Sequence, residues 1–84
     1  MLEIANFHPS VIEDTIYSIL IDYSLGTDTY EEGAIDAILD FFQYVGNDNF
    51  KLCCSPWPNM MGGTCSVAFV EDGYTNLVVF DYSK

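Results

Sequence analysis

Hydrophobic and polar positions follow two different periods along this chain, and the change of period divides it in two. Up to Val45 the apolar residues recur every three or four positions, which is the spacing of one helix face. From Phe50 onward they recur at every second position, as in strands. The pattern predicts a single α+β domain over residues 1–84. We expect an N-terminal antiparallel helix pair packed on a three-stranded antiparallel sheet.

Two helices are predicted in the first part, each with a start and a stop signal. The first runs from about Ser10 to Leu25 and the second from about Tyr30 to Val45. A Ser or Thr followed three residues later by Glu is a capping box, and a glycine ends each apolar pattern. The signals are Ser10, Glu13 and Gly26, then Thr29, Glu32 and Gly46, with Asp28 and Glu31 as a competing start. Four residues or fewer separate the two patterns, so the helices should form an antiparallel hairpin.

Each predicted helix has an apolar face and an opposite acidic face. The apolar faces consist of Ile12, Ile16, Ile19, Leu20 and Tyr23 in the first helix and of Ala34, Ala37, Ile38, Phe41 and Val45, widened by Ile35 and Phe42, in the second. The acidic positions recur every four or eight residues, and no Lys or Arg lies four residues away to relieve them. The candidate partner-binding residues are these carboxylates and three neighbours: Asp14, Asp22, Glu32, Asp36, Asp40, Tyr17, Ile21 and Tyr44. Burial of Tyr17 and Ile21 under the sheet is the alternative for that pair.

The second part predicts three strands, at 50–54, 64–70 and 75–82. An Asp-Gly pair, Asp72 and Gly73, predicts a tight hairpin between the last two. Two prolines flank Trp57 in the loop of about nine residues before the second strand, and this loop either contacts a partner or closes over the core. Both faces of the sheet are largely apolar, with Lys51 facing out. We expect the second face to be covered by the loop, by a partner or by a second copy in a homodimer.

The charge balance is the most unusual property of the composition. Thirteen Asp and Glu oppose two Lys and no Arg, for a formal net charge of −11. Half of the residues are hydrophobic, which is too many for a disordered chain. The excess of acidic residues either forms a surface that favours solubility or halophilic conditions, or it complements a strongly basic partner. A nucleic-acid-binding protein is such a partner, because its Lys and Arg neutralise phosphates. We predict no direct binding to nucleic acid or to membranes, because both are anionic.

The three cysteines and the single histidine offer little chemistry. Cys53, Cys54 and Cys65 allow at most one disulfide, and we expect all three to be packing residues in a reduced, cytoplasmic protein without a secretory signal. Their spacing does not fit a zinc site with His8, since adjacent strand residues point to opposite faces. No motif supports a nucleophilic pair of Cys65 and His8. We predict no metal, no cofactor and no catalytic residue, and therefore no enzyme.

The small size, the near-absence of Lys and Arg and the helical acidic stripes resemble a class of small viral inhibitors that imitate nucleic acid. This class contains uracil-DNA glycosylase inhibitors, antirestriction proteins and some anti-CRISPR proteins, and the chain matches its profile rather than any family motif. The Glu-Ser-Ile segment of the glycosylase inhibitors is absent. The resemblance implies a phage-type inhibitor, acting in the host cytoplasm, that occupies the basic groove of a defence or repair protein. An immunity protein or antitoxin for a basic toxin or enzyme is the alternative.

Overall fold

The structure is a computed structural model and describes residues 11–84. Within these residues it contains two helices and four strands. In chain order they are α1 (Val11–Asp22), β1 (Thr29–Glu31), α2 (Gly33–Val45), β2 (Phe50–Pro56), β3 (Gly62–Glu71) and β4 (Tyr74–Ser83). The expectations for His8 and for capping by Ser10 concern positions outside the described residues.

The four strands form one mixed sheet in the order β1-β4-β3-β2. Strand β3 pairs antiparallel with both β2 and β4, whereas β1 runs parallel to the end of β4. Asp72 and Gly73 form the turn between β3 and β4 with φ values of 53° and 83°. Positive φ at both positions is what a two-residue type I′ hairpin requires. The hairpin prediction is therefore confirmed.

Both helices pack on the same face of the sheet and run in opposite directions across it. At the start of α1 the Ile12 backbone N–H donates to Glu71 Oε1 at 3.3 Å, beside the β3–β4 turn. Helix α2 begins next to β1, at the other end of the sheet, and leads back to Phe50. The core between the two layers consists of Ile16, Leu20, Ala34, Ile38, Phe42, Cys65, Val67, Phe69, Val78, Phe80 and Tyr82.

The α+β class is confirmed, but the prediction of three antiparallel strands is wrong. Thr29–Glu31 were assigned to the second helix and its cap, and they form β1 instead. Their backbone pairs with Asp81–Ser83, and the Tyr30 ring packs edge-on against Phe80 at a centroid distance of 6.1 Å. Threonine and tyrosine favour strands, so the long-range pairing agrees with local propensity here. Helix α2 consequently begins at Gly33, without a side-chain cap.

The predicted end of the first helix is also wrong. Helix α1 ends at Asp22. The following segment folds back on β1, because the Tyr23 carbonyl accepts a hydrogen bond from the Glu31 N–H at 2.8 Å. Gly26, with φ of 84°, therefore lies in this connection and does not cap the helix. The predicted cap at Gly46 is confirmed: it has φ of 69°, and its N–H points to carbonyls of the last helical turn.

The expectation of three reduced cysteines is wrong for two of them. Cys54 and Cys65 are directly opposite each other on β2 and β3, with their Cα atoms 4.2 Å apart, and they form a disulfide. Cys53, the residue before Cys54, points to the other face of the sheet and is an exposed free thiol. Because Cys65 is oxidised, it cannot provide a nucleophile.

Removal of this disulfide is expected to lower the free energy of unfolding by about 3 kcal/mol. The two cysteines are 11 residues apart, and closing a loop of that size reduces the entropy of the unfolded chain by about this amount. Urea denaturation with and without reductant measures the effect, and the double variant Cys54→Ala, Cys65→Ala should match the reduced protein. Cys53→Ala is the control and should change stability by less than about 0.5 kcal/mol. An unchanged urea midpoint after reduction would mean that the disulfide adds no stability and that the two cysteines contribute only by packing.

No helix within residues 11–84 is long and apolar enough to cross a membrane.

Candidate partner-binding surface

The five predicted carboxylates all lie on the outer side of the helical layer, away from the sheet. Asp14 and Asp22 are exposed on α1, opposite the buried Ile16 and Leu20. Asp36 and Asp40 are exposed on α2, opposite its buried residues, and Glu32 is exposed at the N-cap position just before this helix. The fold therefore brings both acidic stripes onto one layer. We call this surface the acidic helical surface; its carboxylates are Asp14, Asp22, Glu32, Asp36 and Asp40.

Neither helix supplies a positive charge to this surface. The residues of α1 and α2 include no Lys, Arg or His. The two lysines of the chain lie elsewhere: Lys51 is on β2 and Lys84 is the last residue. Glu32 precedes α2 as its N-cap residue, but its side chain makes no capping hydrogen bond. Its carboxylate therefore remains directed to solvent, where a cation of a partner can reach it.

The three predicted apolar neighbours are also exposed, to different degrees. Tyr44 is 90% exposed on α2, and Ile21 is 72% exposed on α1. Tyr17 is 46% exposed and lines a cavity described below. The sheet therefore does not bury this apolar pair, which was the alternative for it. Large exposed apolar side chains within an anionic surface are suited to dry contact with a protein partner.

A cavity of about 350 Å³ lies beneath Tyr17, between α1, the start of β1 and the adjacent part of β4. Two tyrosines, two aspartates and three apolar residues line it. They are Tyr17, Leu20, Asp28, Tyr30, Val79, Phe80 and Asp81. Sequence analysis did not find this site. The parallel pairing of β1 with β4 places Asp28 and Asp81 along this cavity, although the Asp81 carboxylate is bonded to Thr64 on the opposite face of the sheet.

Trp57 is held in place by hydrogen bonds at one end of the sheet. Its indole Nε1–H donates to Thr64 Oγ1 at 3.1 Å, and the Thr64 hydroxyl donates to Asp81 Oδ1 at 2.8 Å. The ring also lies against Gly62, where an added Cβ would be 3.0 Å from a Trp57 ring carbon. These contacts place the half-buried Trp57 over the sheet and favour the anchoring role over that of a contact residue. Met60 and Met61 at the tip of the loop remain exposed.

The sheet face opposite the helices is less apolar than the sequence indicated. Leu77 and Val79 are 61% and 56% exposed on β4, but Thr64, Ser66 and Asp81 share this face with them. The loop covers only the end that carries Trp57. The expected homodimer through this face stays a prediction.

Within residues 11–84, no group of three His, Cys, Asp or Glu side chains is arranged to hold a metal ion.

Comparison with known proteins does not assign this chain to a family. The chain matches no protein-family model, no curated protein and no solved structure. The function therefore has to be argued from the side chains of this protein alone.

Proposed function

We propose that this protein is an inhibitor that mimics the charge of nucleic acid and binds the basic groove of a nucleic-acid-binding protein. One observation carries the proposal. Five carboxylates are exposed on a single layer, on and beside two helices that contain no basic residue. A nucleic-acid-binding groove presents Lys and Arg spaced for phosphates, and an anionic layer of this kind is complementary to it.

The spacing of the carboxylates supports the same proposal. Glu32, Asp36 and Asp40 follow one another at four-residue intervals, which corresponds to about 6 Å along the helix. The phosphates of one DNA strand likewise form a regular row of negative charges, one for about every 3.4 Å of the duplex axis. Like charges at this spacing destabilise a helix by about 0.2–0.5 kcal/mol per pair, a cost that is offset when cations of a partner bind.

Capture from a cell lysate, using the wild-type protein and a charge-reversed variant side by side, tests the proposal. The wild type should retain a basic nucleic-acid-binding protein that Glu32→Lys, Asp36→Lys, Asp40→Lys does not retain. Duplex DNA or RNA added to the column should displace it, because both ligands occupy one groove. A retained partner that nucleic acid does not displace would favour the immunity or antitoxin alternative.

The protein itself should not bind nucleic acid. A net charge of −11 adds repulsion where a binder needs attraction to phosphates. A gel-shift titration at about 0.15 M salt should show no complex with duplex DNA, single-stranded DNA or RNA at micromolar protein. Submicromolar binding in that assay would contradict the mimic proposal, since a mimic and its model repel each other.

A further inference from the structure

We propose that the free edge of β2 pairs with the same strand of a second copy of this chain, antiparallel and centred on Cys53. The inference goes beyond the proposed function and does not rest on it, because the pairing uses the sheet edge rather than the acidic helical surface. It also differs from the homodimer expected from the sequence, which used one face of the sheet.

Strand β2 is the last strand of the sheet, and among residues 11–84 only β3 pairs with it. Two hydrogen bonds at the ends of this ladder show which backbone groups β3 uses. The Val70 N–H donates to the Asn49 carbonyl at 3.0 Å, and the Trp57 N–H donates to the Gly62 carbonyl at 2.9 Å. Bonded and non-bonded pairs alternate along an antiparallel ladder, and the register between these two ends is continuous. The bonded positions of β2 are therefore the odd-numbered ones.

The even-numbered residues of β2 direct their backbone groups to the free edge. Lys51, Cys53 and Ser55 bond to β3 and direct no backbone group outward. The outward N–H and C=O groups belong to Phe50, Leu52 and Cys54, and Pro56 adds a carbonyl but no N–H. An exposed row of this kind is a template for another strand.

The outward groups of β2 are complementary to those of a second β2. Cys53 is the middle residue of Phe50–Pro56, so a two-fold axis at Cys53 places Leu52 of one copy opposite Cys54 of the other. Both of these residues direct their backbone groups outward, and the resulting ladder has about six hydrogen bonds. Pro56 lies at the end of this ladder, opposite Phe50 of the other copy, where only its carbonyl is needed.

The charge distribution favours this edge for contact between two anionic copies. Residues 50–70 contain no Asp or Glu, so all thirteen acidic residues lie elsewhere in the chain. In the two-fold register Lys51 is opposite Ser55 of the other copy, and no like charges face each other. At about 0.15 M salt, charges more than about 8 Å apart are largely screened. The strand edge is therefore a place where two copies can meet despite a net charge of −11 each.

The same register brings two exposed thiols together. Cys53 is a free and exposed cysteine, and in the paired strands it is opposite itself at a non-hydrogen-bonded position. The Cα atoms of such a pair are about 4.5 Å apart, within the range of about 4.4–6.8 Å found for disulfides. A small disulfide such as oxidised glutathione can link them. The two thiols then lose two protons and two electrons, and one oxidised glutathione is reduced to two glutathione thiols.

Crosslinking with oxidised glutathione tests the register. The wild type should form a dimer linked through Cys53, identified by mass spectrometry of its peptides. The matched variant Cys53→Ser, Ser55→Cys moves the thiol by two residues on the same face. Its two thiols would be about 13–14 Å apart in the paired strands, which is too far for a disulfide. This variant should form a glutathione adduct instead. Equal crosslinking of both proteins would mean random collision and would overturn the register.

The pairing should also exist without a covalent link. Cys53→Ser cannot be crosslinked at this position, and sedimentation should still show a monomer–dimer equilibrium. Hydrogen exchange of the Leu52 and Cys54 amides should slow as the protein concentration rises, because their N–H groups become bonded. The association should strengthen with salt, since salt screens the repulsion between the copies, whereas binding to a basic target should weaken.

Two glutamate variants separate the pairing from a general effect of charge. Cys53→Glu places two like charges opposite each other on the two-fold axis and should weaken the dimer at least about fivefold relative to Cys53→Ser. Ser55→Glu makes the same charge change two residues away, but the new carboxylate is opposite Lys51 of the other copy. It should not weaken the dimer. Equal losses in the two variants would contradict the proposed register.

The remaining outcomes decide what covers the edge. A monomer at all concentrations up to about 1 mM would overturn the dimer. Protection of the Leu52 and Cys54 amides that does not depend on concentration would mean that another segment of the same chain pairs with this edge. Protection that appears only with the captured target would assign the edge to that target. None of these measurements uses the acidic helical surface, so the inhibitor proposal and the dimer can fail separately.

Discussion

The variant Glu32→Lys, Asp36→Lys, Asp40→Lys is expected to lose target binding while keeping its fold. Each reversal replaces an attraction to a partner cation by a repulsion, and like charges placed together at an interface cost several kcal/mol. The affinity for the captured target should fall at least about a hundredfold, which corresponds to 2.8 kcal/mol. The dissociation constant, measured at two salt concentrations, should also lose most of its salt dependence.

The stability of this variant follows from where the three residues lie on α2. Glu32 is the N-cap residue and Asp36 is in the first turn, where a negative charge interacts favourably with the helix dipole. A lysine at each place costs about 0.3–1 kcal/mol. The three new lysines repel one another, as the three carboxylates do in the wild type. Charge repulsion is therefore reduced only by attraction between the lysines and the remaining acidic residues. We therefore expect the free energy of unfolding to fall by about 1 kcal/mol, which thermal unfolding can measure.

A matched pair of double variants separates position from total charge. Asp36→Lys, Asp40→Lys reverses two carboxylates of the acidic helical surface. Glu31→Lys, Asp48→Lys reverses two exposed carboxylates that are outside both helices. Both pairs change the net charge by the same amount. The first should weaken binding at least tenfold and the second less than threefold; equal losses would mean that the helical layer has no special role.

The acidic helical surface could be predicted because it depends on short-range periodicity. Residues four apart on a helix share a face whatever the rest of the chain does, so Asp36 and Asp40 could be placed without knowing the fold. The hairpin at Asp72 and Gly73 could be predicted for the same reason, because the turn type depends on only two adjacent residues. The error at the end of α1 changed no assignment on this surface, since Asp22 is still helical.

The cavity and the disulfide could not be predicted, because both depend on long-range register. Asp28 and Asp81 line the same cavity only because β1 pairs in parallel with β4, and no local pattern specifies a partner about 50 residues away. The loop around Trp57 carries no turn signal that fixes register, so the sequence could not show that Cys54 is opposite Cys65. The residues missed by sequence analysis are therefore those whose neighbours are distant in the chain.

Phe42→Ala and Tyr44→Ala are expected to affect different properties, stability and target binding, although the two residues are only two positions apart on α2. Phe42 is fully buried, and its ring is stacked on Phe50 with a centroid distance of 4.2 Å and an interplanar angle of 3°. Phe69 borders the same ring at 6.0 Å. Truncation to alanine leaves a cavity at the centre of the core and costs about 3–5 kcal/mol. That is a large part of the 5–15 kcal/mol by which domains are typically stable.

Tyr44, in contrast, is 90% exposed and supports nothing in the fold, so Tyr44→Ala should change the free energy of unfolding by less than about 0.5 kcal/mol. It should instead raise the dissociation rate of the target complex about tenfold, because exposed tyrosines beside a charged surface supply the dry contact that slows dissociation.

Gln43→Ala, at the exposed position between Phe42 and Tyr44, is the control for both measurements. Urea denaturation measures the stability of the three variants, and dissociation kinetics measure how long each remains bound to the target. An unchanged dissociation rate in Tyr44→Ala would remove this residue from the partner-binding surface, and a loss below about 1 kcal/mol in Phe42→Ala would contradict the packing of the two layers.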